Sequence, residues 1–240
     1  MPNAIPRYEP KSAYGNPPSY TVAGQTYGVL PDCAGYHERG IASWYGSKFH
    51  GGRTSDGETY DMYAMTAANK VLPLPCYVRV TNLQNGSNVI VKVNDRGPFV
   101  ANRIIDLSYA AAARIGMLGT GTALVDVTAV TPGEPLPPAG PGSNLSQQSG
   151  APPVSAATGT LRQPQIFVQV GAFANQSNAE RVLQRLRAAA VNPAFILTEV
   201  QNGITFYKVR IGPISDVSHV DTLTAQLGGL GFANAQVVIP

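Results

Sequence analysis

The chain has 240 residues, of which 44% are hydrophobic and only 13% are charged, and its formal net charge at pH 7 is +3. This length allows one or two domains, each large enough to bury a core. The basic residues form no clustered stripe of the kind that nucleic-acid-binding proteins carry. The sequence also lacks an apolar run of about 18 residues that could cross a membrane. The composition therefore argues against a nucleic-acid-binding protein and against a membrane-spanning one.

Residues 1–38 are rich in Pro, Tyr, Gly and Asn and are predicted to form an N-terminal arm with a short hairpin at 20–27. The first residues show neither the basic nor the apolar region of a signal peptide. We therefore expect either a cytosolic protein or a mature form whose signal has been removed.

The two cysteines, Cys33 and Cys76, are too few for a zinc site, and the three histidines do not lie at metal-ligand spacing near them. We expect no metal and no cofactor. In an oxidising compartment the cysteines would form a disulfide, whereas in the cytosol they would be free thiols. The residues alone leave both alternatives open.

Residues 39–131 are predicted to form a β-rich domain. Its expected elements are a strand at 40–46, a Gly-rich loop at 47–59, an ambiguous segment at 60–72, strands at 77–83, 88–93 and 104–107, a helix at 110–115 and a strand at 121–130. Asn85-Gly86 is a strong hairpin-turn sequence, and Ser108 is placed to cap the helix. About six short strands with one small helix indicate a closed or nearly closed barrel.

Residues 132–163 consist mainly of Pro, Gly, Ser, Ala and Gln and are predicted to be a linker, because they cannot bury enough surface to order themselves. Residues 164–240 are predicted to form a second domain. Its expected elements are a strand at 166–173, a helix opened by a capping box at Ser177 and Glu180, strands at 194–200 and 204–211, a helix at 217–227 and a strand at 235–239. This order, βαββαβ, is ferredoxin-like.

The sequence that carries candidate chemistry is Asn94-Asp95-Arg96-Gly97-Pro98-Phe99, which directly follows an apolar strand. Strand ends are favourable places for functional groups, because the scaffold fixes the group and the loop leaves room for a ligand. Asp95 and Arg96 are either a structural pair in a surface turn or an acid/base group beside a substrate clamp.

The Gly-rich loop begins near the only tryptophan. Trp44 is expected in the core. Tyr45 lies on the opposite face of the same strand and, together with Phe49, is then placed to line a groove.

Longer motifs favour the functional interpretation. Residues 40–46, Phe49-His50-Gly51, Arg53-Thr54, Gly57-Glu58, Tyr60-Asp61-Met62 and 94–99 together closely resemble the RlpA (rare lipoprotein A) family. Residues 168–173 and 207–213 resemble the two signatures of SPOR domains. The resemblance implies a six-stranded double-psi β-barrel at 39–131 and an α+β SPOR domain at 164–240, joined by a disordered linker.

The resemblance also implies a bacterial lipoprotein on the periplasmic face of the outer membrane at the division septum. The signal peptide and the lipid-bearing cysteine would lie upstream of Met1, so the membrane would be contacted only through that anchor. Neither Cys33 nor Cys76 lies in a lipobox.

The implied activity is that of a lytic transglycosylase, which cleaves the MurNAc-GlcNAc bond of peptidoglycan and leaves a 1,6-anhydro end. The implied substrate is a glycan strand whose stem peptides have been removed by amidases. By this resemblance Asp95 is the catalytic acid/base and Glu58 the second carboxylate of the cleft. Tyr45, Phe49 and Arg96 would bind the substrate.

One position departs from the family pattern. The family usually has His where Asn69 stands in Thr66-Ala67-Ala68-Asn69. Asparagine can form hydrogen bonds but cannot titrate. The chain is therefore expected to be a lytic transglycosylase, with a catalytically impaired or purely glycan-binding septal protein as the alternative.

In the SPOR domain the resemblance implies that the sheet binds glycan. Aromatic rings would pack on sugar faces, while amide and guanidinium groups would bind sugar hydroxyls and carboxylates. The matching residues are Gln169, Gly171, Phe173, Tyr207, Arg210 and Gly212. For Phe173, a position in the core at the strand end is the alternative.

Overall fold

The computed structural model describes residues 2–133 and 164–240. The predicted linker at 132–163 lies almost wholly outside these residues. The elements of the first part are β1 (Ser19–Val22), β2 (Gln25–Gly28), β3 (His37–Trp44), β4 (Thr66–Asn69), β5 (Cys76–Asn82), β6 (Asn88–Asp95), β7 (Arg103–Leu107), α1 (Tyr109–Arg114) and β8 (Thr122–Ala129). No helix in the described residues is long and apolar enough to cross a membrane.

Six strands close into a barrel in the order β3-β7-β4-β6-β5-β8, which confirms the predicted β-barrel. β5 and β6 form the predicted hairpin, in which Thr81 pairs with Asn88. The strand that the sequence left ambiguous is β4. It is only four residues long and has two alanines at its centre, so neither length nor β-branched content marks it as a strand.

The barrel interior is filled by branched apolar side chains that alternate along each strand, including Val78, Val80, Val89, Val91 and Val93. Each is fully buried. Full burial of a Val side chain contributes about 1.5–3 kcal/mol relative to its exposure. The apolar core therefore makes the strands rigid enough to fix side chains at their ends.

The N-terminal arm is attached to the barrel along much of its length. The predicted hairpin is present as β1 and β2, which pair antiparallel. The Ser12 N–H donates to the Leu74 carbonyl at 2.8 Å, and the Leu30 N–H donates to the Val71 carbonyl at 2.7 Å. A disulfide joins Cys33 to Cys76, with Cα atoms 6.3 Å apart.

The second domain has the predicted βαββαβ order. Its elements are β9 (Ile166–Phe173), α2 (Gln176–Ala188), β10 (Ala194–Gln201), β11 (Ile204–Ile214), α3 (Val217–Gly229) and β12 (Gln236–Val238). The strands form an antiparallel sheet in the order β10-β11-β9-β12. Both helices pack with one sheet face around residues such as Val168, Leu186 and Val209.

The predicted capping box at Ser177 and Glu180 is wrong. The N-cap of α2 is Asn175, whose side-chain oxygen accepts the Ser177 N–H at 2.8 Å. Glu180 instead accepts a hydrogen bond from the Gln176 side chain. Asn is as good an N-cap as Ser. The helix therefore starts at Asn175, which precedes Ser177 in the chain.

The two domains touch through α3 and the C-terminus. Arg103, at the start of β7, donates two hydrogen bonds to the carboxylate of Asp221, at 3.1 and 2.5 Å. Ile41 and Leu124 lie on the barrel surface and pack into the apolar cluster of the second domain. The first residue of β7 thus contacts the second domain, whereas Asp106, near the end of β7, lines the cleft described below.

Candidate functional site

The candidate active site is built on β4, whose neighbours in the barrel are β6 and β7. Ala68 pairs with Asp95 of β6 on one side and with Asp106 of β7 on the other. Paired residues of adjacent strands direct their side chains to the same face of a sheet. Both carboxyl groups therefore face the same cleft, and the small side chain of Ala68 lies between them.

The carboxylate of Asp95 is held by the Gly-rich loop. Its Oδ1 accepts hydrogen bonds from the Ser55 N–H at 2.9 Å and the Ser55 hydroxyl at 2.6 Å. The Arg96 N–H donates to the same oxygen at 2.7 Å. No hydrogen bond from the described residues reaches Oδ2. Asp95 is therefore oriented through one oxygen, and the other remains available to a ligand.

Asp106 lies deeper in the barrel wall. Burial raises the pKa of its carboxyl group, while the Ser43 hydroxyl and the positive charges of Arg103 and Lys70 act in the opposite direction. The Ser43 hydroxyl donates to Asp106 Oδ1. A raised pKa means that the Asp106 carboxyl group is protonated more readily than an exposed one.

The cleft has a volume of about 710 Å³. Besides both aspartates it is lined by Tyr45, Lys48, Phe49, His50, Arg53, Tyr60, Ala68, Arg96, Pro98 and Phe99, together with three glycines. Such a mixture of aromatic, cationic and acidic groups suits a sugar chain, since aromatic rings pack on apolar ring faces and polar groups bind hydroxyls.

One wall of the cleft is a stack of aromatic rings. Tyr45 and Tyr60 have ring centroids 4.3 Å apart, and Tyr45 meets Phe49 edge-on at 6.2 Å. Burial raises the pKa of Tyr60 to about 12 and raises that of Tyr45 further. Both rings are thus uncharged at neutral pH. The structure brings the predicted Tyr45 and Phe49 to the cleft and adds Tyr60, which the sequence analysis had not assigned to the site.

Glu58 lies elsewhere. Its carboxylate accepts hydrogen bonds from Lys92 at 2.7 Å and from Asn94 at 3.0 Å, and it is not among the residues lining the cleft. Since side chains alternate along a strand, Asn94 lies on the opposite face of β6 from Asp95. Burial raises the pKa of Glu58, but the bonds from Lys92 and Asn94 outweigh it and the net pKa is lowered. Glu58 anchors the loop that carries Ser55 rather than facing Asp95.

Arg96 differs from the expectation of a substrate clamp. Its Nε and Nη2 donate to the Gly15 carbonyl at 2.9 and 2.7 Å, and Nη2 also donates to the Asn16 side chain at 3.3 Å. Its Nη1 donates to the carbonyls of Asn69 and Leu72. The N–H donors are used to fix the arm and the end of β4 to the floor of the cleft. Arg96 still lines the cleft, but these five hydrogen bonds occupy its N–H groups.

Asn69 also lies behind the cleft. Its side chain is 1% exposed. Its oxygen accepts the N–H groups of Val71 and Leu72, both at 2.8 Å, and its nitrogen donates to the Ile104 carbonyl at 3.1 Å and to the Tyr36 hydroxyl. The amide thus closes the turn after β4 and holds β4 near β7. Residue 69, where the family usually has His, therefore supports the cleft from behind and does not line it.

Sequence reasoning missed Asp106, Ser43 and Ser55. Asp106 did carry a recognisable signal, because it is the single acidic residue in the apolar run Ile104-Ile105-Asp106-Leu107. A carboxyl group inside a buried strand needs an explanation. No group of three or more His, Cys, Asp or Glu side chains that could hold a metal ion is found within residues 2–133 and 164–240.

The second candidate surface is the sheet face of the second domain that the helices leave open. Phe195 pairs with Arg210, which in turn pairs with Gln169. The Arg210 Nε donates to the Gln169 side-chain oxygen at 3.1 Å. Phe167 and Phe195 meet edge-on across this face, with centroids 5.9 Å apart. The predicted Gln169 and Arg210 are thus joined by two aromatic residues that the sequence analysis did not select.

Four of the predicted glycan-binding residues have structural surroundings instead. Phe173 and Tyr207 pair with each other and pack against the helix-side core. A Cβ on Gly171 would lie 2.9 Å from the Phe173 ring, and a Cβ on Gly212 would lie 2.8 Å from the Ile166 carbonyl. These glycines permit close packing. Phe173 lies against the core at the end of its strand, which was the alternative to a glycan-binding role.

Known proteins resemble the whole arrangement. Residues 37–127 match the lytic transglycolase family, which has a double-psi β-barrel, and residues 164–239 match the SPOR domain family. The endolytic peptidoglycan transglycosylase RlpA of Pseudomonas aeruginosa strain UCBPP-PA14 is 42% identical over 92% of this chain and 75% of its own length. The protein of the same name from Vibrio cholerae is 38% identical over 97% of this chain and 80% of its own length.

Among solved structures, the RlpA SPOR domain from Pseudomonas aeruginosa is 31% identical, covers 31% of this chain and 99% of its own, and superposes with a TM-score of 0.30. The family is established by the relatives that are similar along nearly the full chain. The chain therefore belongs to the RlpA family of endolytic peptidoglycan transglycosylases.

Proposed function

We propose that this protein is an endolytic peptidoglycan transglycosylase that cuts within glycan strands and leaves 1,6-anhydro-MurNAc ends. The observation that carries the proposal is the pair of carboxyl groups, Asp95 and Asp106, on either side of Ala68 at the floor of an aromatic-lined cleft. The activity named for the relatives supports it.

The reaction needs one proton donor and no water. A carboxyl group donates its proton to the glycosidic oxygen as the bond from C1 of MurNAc to O4 of the next GlcNAc breaks. The C6 hydroxyl of the same MurNAc then attacks C1 and gives its proton to the carboxylate, which restores the acid. The products are an anhydro end and a free GlcNAc 4-hydroxyl, so atoms and charges balance without a cofactor.

Asp95 is the acid/base group of this proposal. Asp95 lines the cleft, its Oδ1 is fixed by three hydrogen bonds, and its Oδ2 accepts none from the described residues. Asp106, buried and hydrogen-bonded to Ser43, would bind the reacting sugar from the other side of Ala68. Glu58, Asn69 and Arg96 would act as positioning residues, since they hold the loop, β4 and the arm around Asp95.

The substrate of the proposal is peptidoglycan strands without stem peptides, which amidases produce at the division septum. The second domain would hold these strands on the open sheet face through Phe167, Phe195, Gln169 and Arg210. Because the chain would work on the peptidoglycan of the cell envelope, we further propose attachment to the periplasmic face of the outer membrane by an N-terminal lipid.

Product analysis in H₂¹⁸O tests this function. The full chain is incubated with amidase-treated and with intact peptidoglycan, and the released strands are analysed by mass spectrometry. A transglycosylase gives anhydro ends without ¹⁸O, whereas a hydrolase gives reducing ends that carry one ¹⁸O. We expect anhydro ends, formed faster on the amidase-treated material. Reducing ends, or no cleavage of either material, would contradict the proposal.

A further inference from the structure

The N-terminal hairpin β1–β2 lies next to the cleft, because its Tyr20 and Tyr27 rings contact Phe99, which lines the cleft. The hairpin precedes residue 37, where the match to the lytic transglycolase family begins. The Tyr20 hydroxyl donates to the Lys70 carbonyl at 2.8 Å. The Tyr20 ring lies 5.6 Å from the Arg96 guanidinium, which is itself bonded to Gly15 in the arm. The hairpin is therefore fixed to the groups that carry the active site.

This attachment leaves an aromatic surface at the Phe99 end of the cleft. Tyr27 meets Phe99 with centroids 5.8 Å apart and meets Tyr20 at 5.5 Å. Phe99 lines the cleft and is 45% exposed. Tyr20 anchors the hairpin, so anchoring alone does not explain why the partly buried Tyr27 ring lies against the half-exposed Phe99 ring.

A cation lies beside these rings. The Lys70 ammonium is 5.9 Å from the centre of the Tyr27 ring, and it is close enough to Asp106 for each group to affect the other's charge. Among the described residues, no carboxylate lies within the 4.0 Å that defines an ion pair with it. A half-buried ammonium without a direct anionic partner can bind an anionic ligand group.

We propose that Tyr27, Phe99 and Lys70 form a sugar subsite at this end of the cleft, which binds a MurNAc residue whose lactyl carboxylate is free. The rings pack on the sugar face, and Lys70 binds the carboxylate. This assignment rests on the proposed function, because removal of the stem peptide is the step that exposes the carboxylate. It gives the barrel its own means of distinguishing stripped strands from peptide-bearing ones.

A substrate with and without the charge tests the subsite. Soluble stripped glycan is compared with the same glycan after its lactyl carboxylates have been converted to neutral methylamides. The full chain is expected to prefer the carboxylate form. A partly exposed ion pair contributes up to about 1 kcal/mol, or roughly fivefold, so Lys70→Gln should lower the ratio of kcat/KM values for the two glycans by about that factor.

The double comparison removes other contributions. The second domain and the cleft are the same in all measurements, so only a contact between residue 70 and the carboxylate changes the ratio. Tyr27→Ala should raise KM for both glycans by about threefold to tenfold, as expected for the loss of one packed ring. Tyr8→Ala is the matched control, because Tyr8 lies on the same arm and is 84% exposed.

Two outcomes would overturn the subsite: an equal loss on both glycans in Lys70→Gln, or no preference in the parent protein. The first would mean that Lys70 acts through Asp106 or through the fold. If the parent cuts neither glycan, the proposed function fails, and binding then decides the subsite. Stripped glycan should slow amide hydrogen exchange in residues 19–28, and less so in Lys70→Gln. Unchanged exchange would rule the subsite out.

Discussion

Asp95 and Asp106 pair with the same residue, Ala68, from opposite sides. Asp95 belongs to β6, which is parallel to β4, and Asp106 belongs to β7, which is antiparallel to β4. Two strands that run in different directions therefore place their carboxyl groups next to the same residue. The barrel topology, rather than any short motif, brings the two carboxyl groups together. Their different surroundings, a hydrogen-bonded loop and a buried strand, separate their roles.

The burial of Asp106 predicts a pH-dependent effect on stability. Because the pKa of Asp106 is raised in the folded state, this group favours folding when it is protonated and disfavours folding as the pH rises through its folded pKa. Asp106→Asn should therefore raise the free energy of unfolding at pH 7. The gain should disappear below about pH 4, where the unfolded carboxyl group is also protonated.

Urea unfolding of both proteins at pH 7 and pH 3.5 measures this effect. The same variant should lose activity by about one to two orders of magnitude, as expected for the loss of one charged hydrogen bond to the reacting sugar. A variant that is less stable at pH 7 would show that Asp106 is held by favourable contacts rather than strained by burial.

The second domain yields a prediction that separates binding from packing. Phe195→Ala should weaken binding to amidase-treated sacculi by about threefold to tenfold, as expected for one packed ring. Arg210→Ala should weaken it by about tenfold or more, as expected for one charged hydrogen bond. Phe173→Ala should instead lower stability by about 2 kcal/mol, because its ring packs against the core.

Sedimentation of the full chain with sacculi gives the binding, and thermal unfolding gives the stability. The comparison is informative because the three residues belong to one sheet. If folded Phe173→Ala protein loses binding while Phe195→Ala retains it, the glycan surface is on the helix side of the sheet and the assignment is reversed.

The disulfide between Cys33 and Cys76 should stabilise the barrel together with its arm. It closes a loop with a sequence separation of 43, for which the chain-entropy treatment gives about 4 kcal/mol. The double variant Cys33→Ala, Cys76→Ala should therefore have a free energy of unfolding about 4 kcal/mol lower and should unfold at a lower urea concentration. Its arm should also be cleaved faster by a protease. Equal midpoints for the parent and the double variant would show that the disulfide contributes nothing to stability.

The sequence predicted the closed barrel and the βαββαβ domain because their strands are long apolar runs separated by clear turns. It predicted Asp95, Tyr45 and Phe49 at the cleft because the family motifs are long. The family motif placed Glu58 in the cleft, but a loop motif cannot show which face of β6 its side chain reaches, and Glu58 bonds Lys92 and Asn94 instead. Asp106 could be placed in the cleft only once the pairing of β7 with β4 was known, and no local sequence pattern predicts that pairing.

A bulge in β9 explains why Gly171 and Phe173 do not share a sheet face with Gln169. Counting alternate residues from Gln169 places Gly171 and Phe173 on its face of the strand. The pairing shifts between Val209 and Arg210, however, so that Val209 pairs with Gly171 and Arg210 with Gln169. This bulge turns Phe173 to the helix side. An extra residue in an apolar strand does not change the sequence pattern in a recognisable way. The sequence therefore predicted only some of the residues on the open face.

Cleavage by Asp95→Asn protein shows whether Asp95 is the proton donor of the reaction. Asparagine keeps the size of the side chain and can still accept hydrogen bonds from Ser55, but it cannot donate and recover a proton in the reaction. We expect anhydro ends to form from amidase-treated peptidoglycan at least about a hundredfold more slowly, while sacculus binding and thermal stability stay close to those of the parent. Anhydro ends released at the parent rate by a folded Asp95→Asn protein would contradict this role of Asp95.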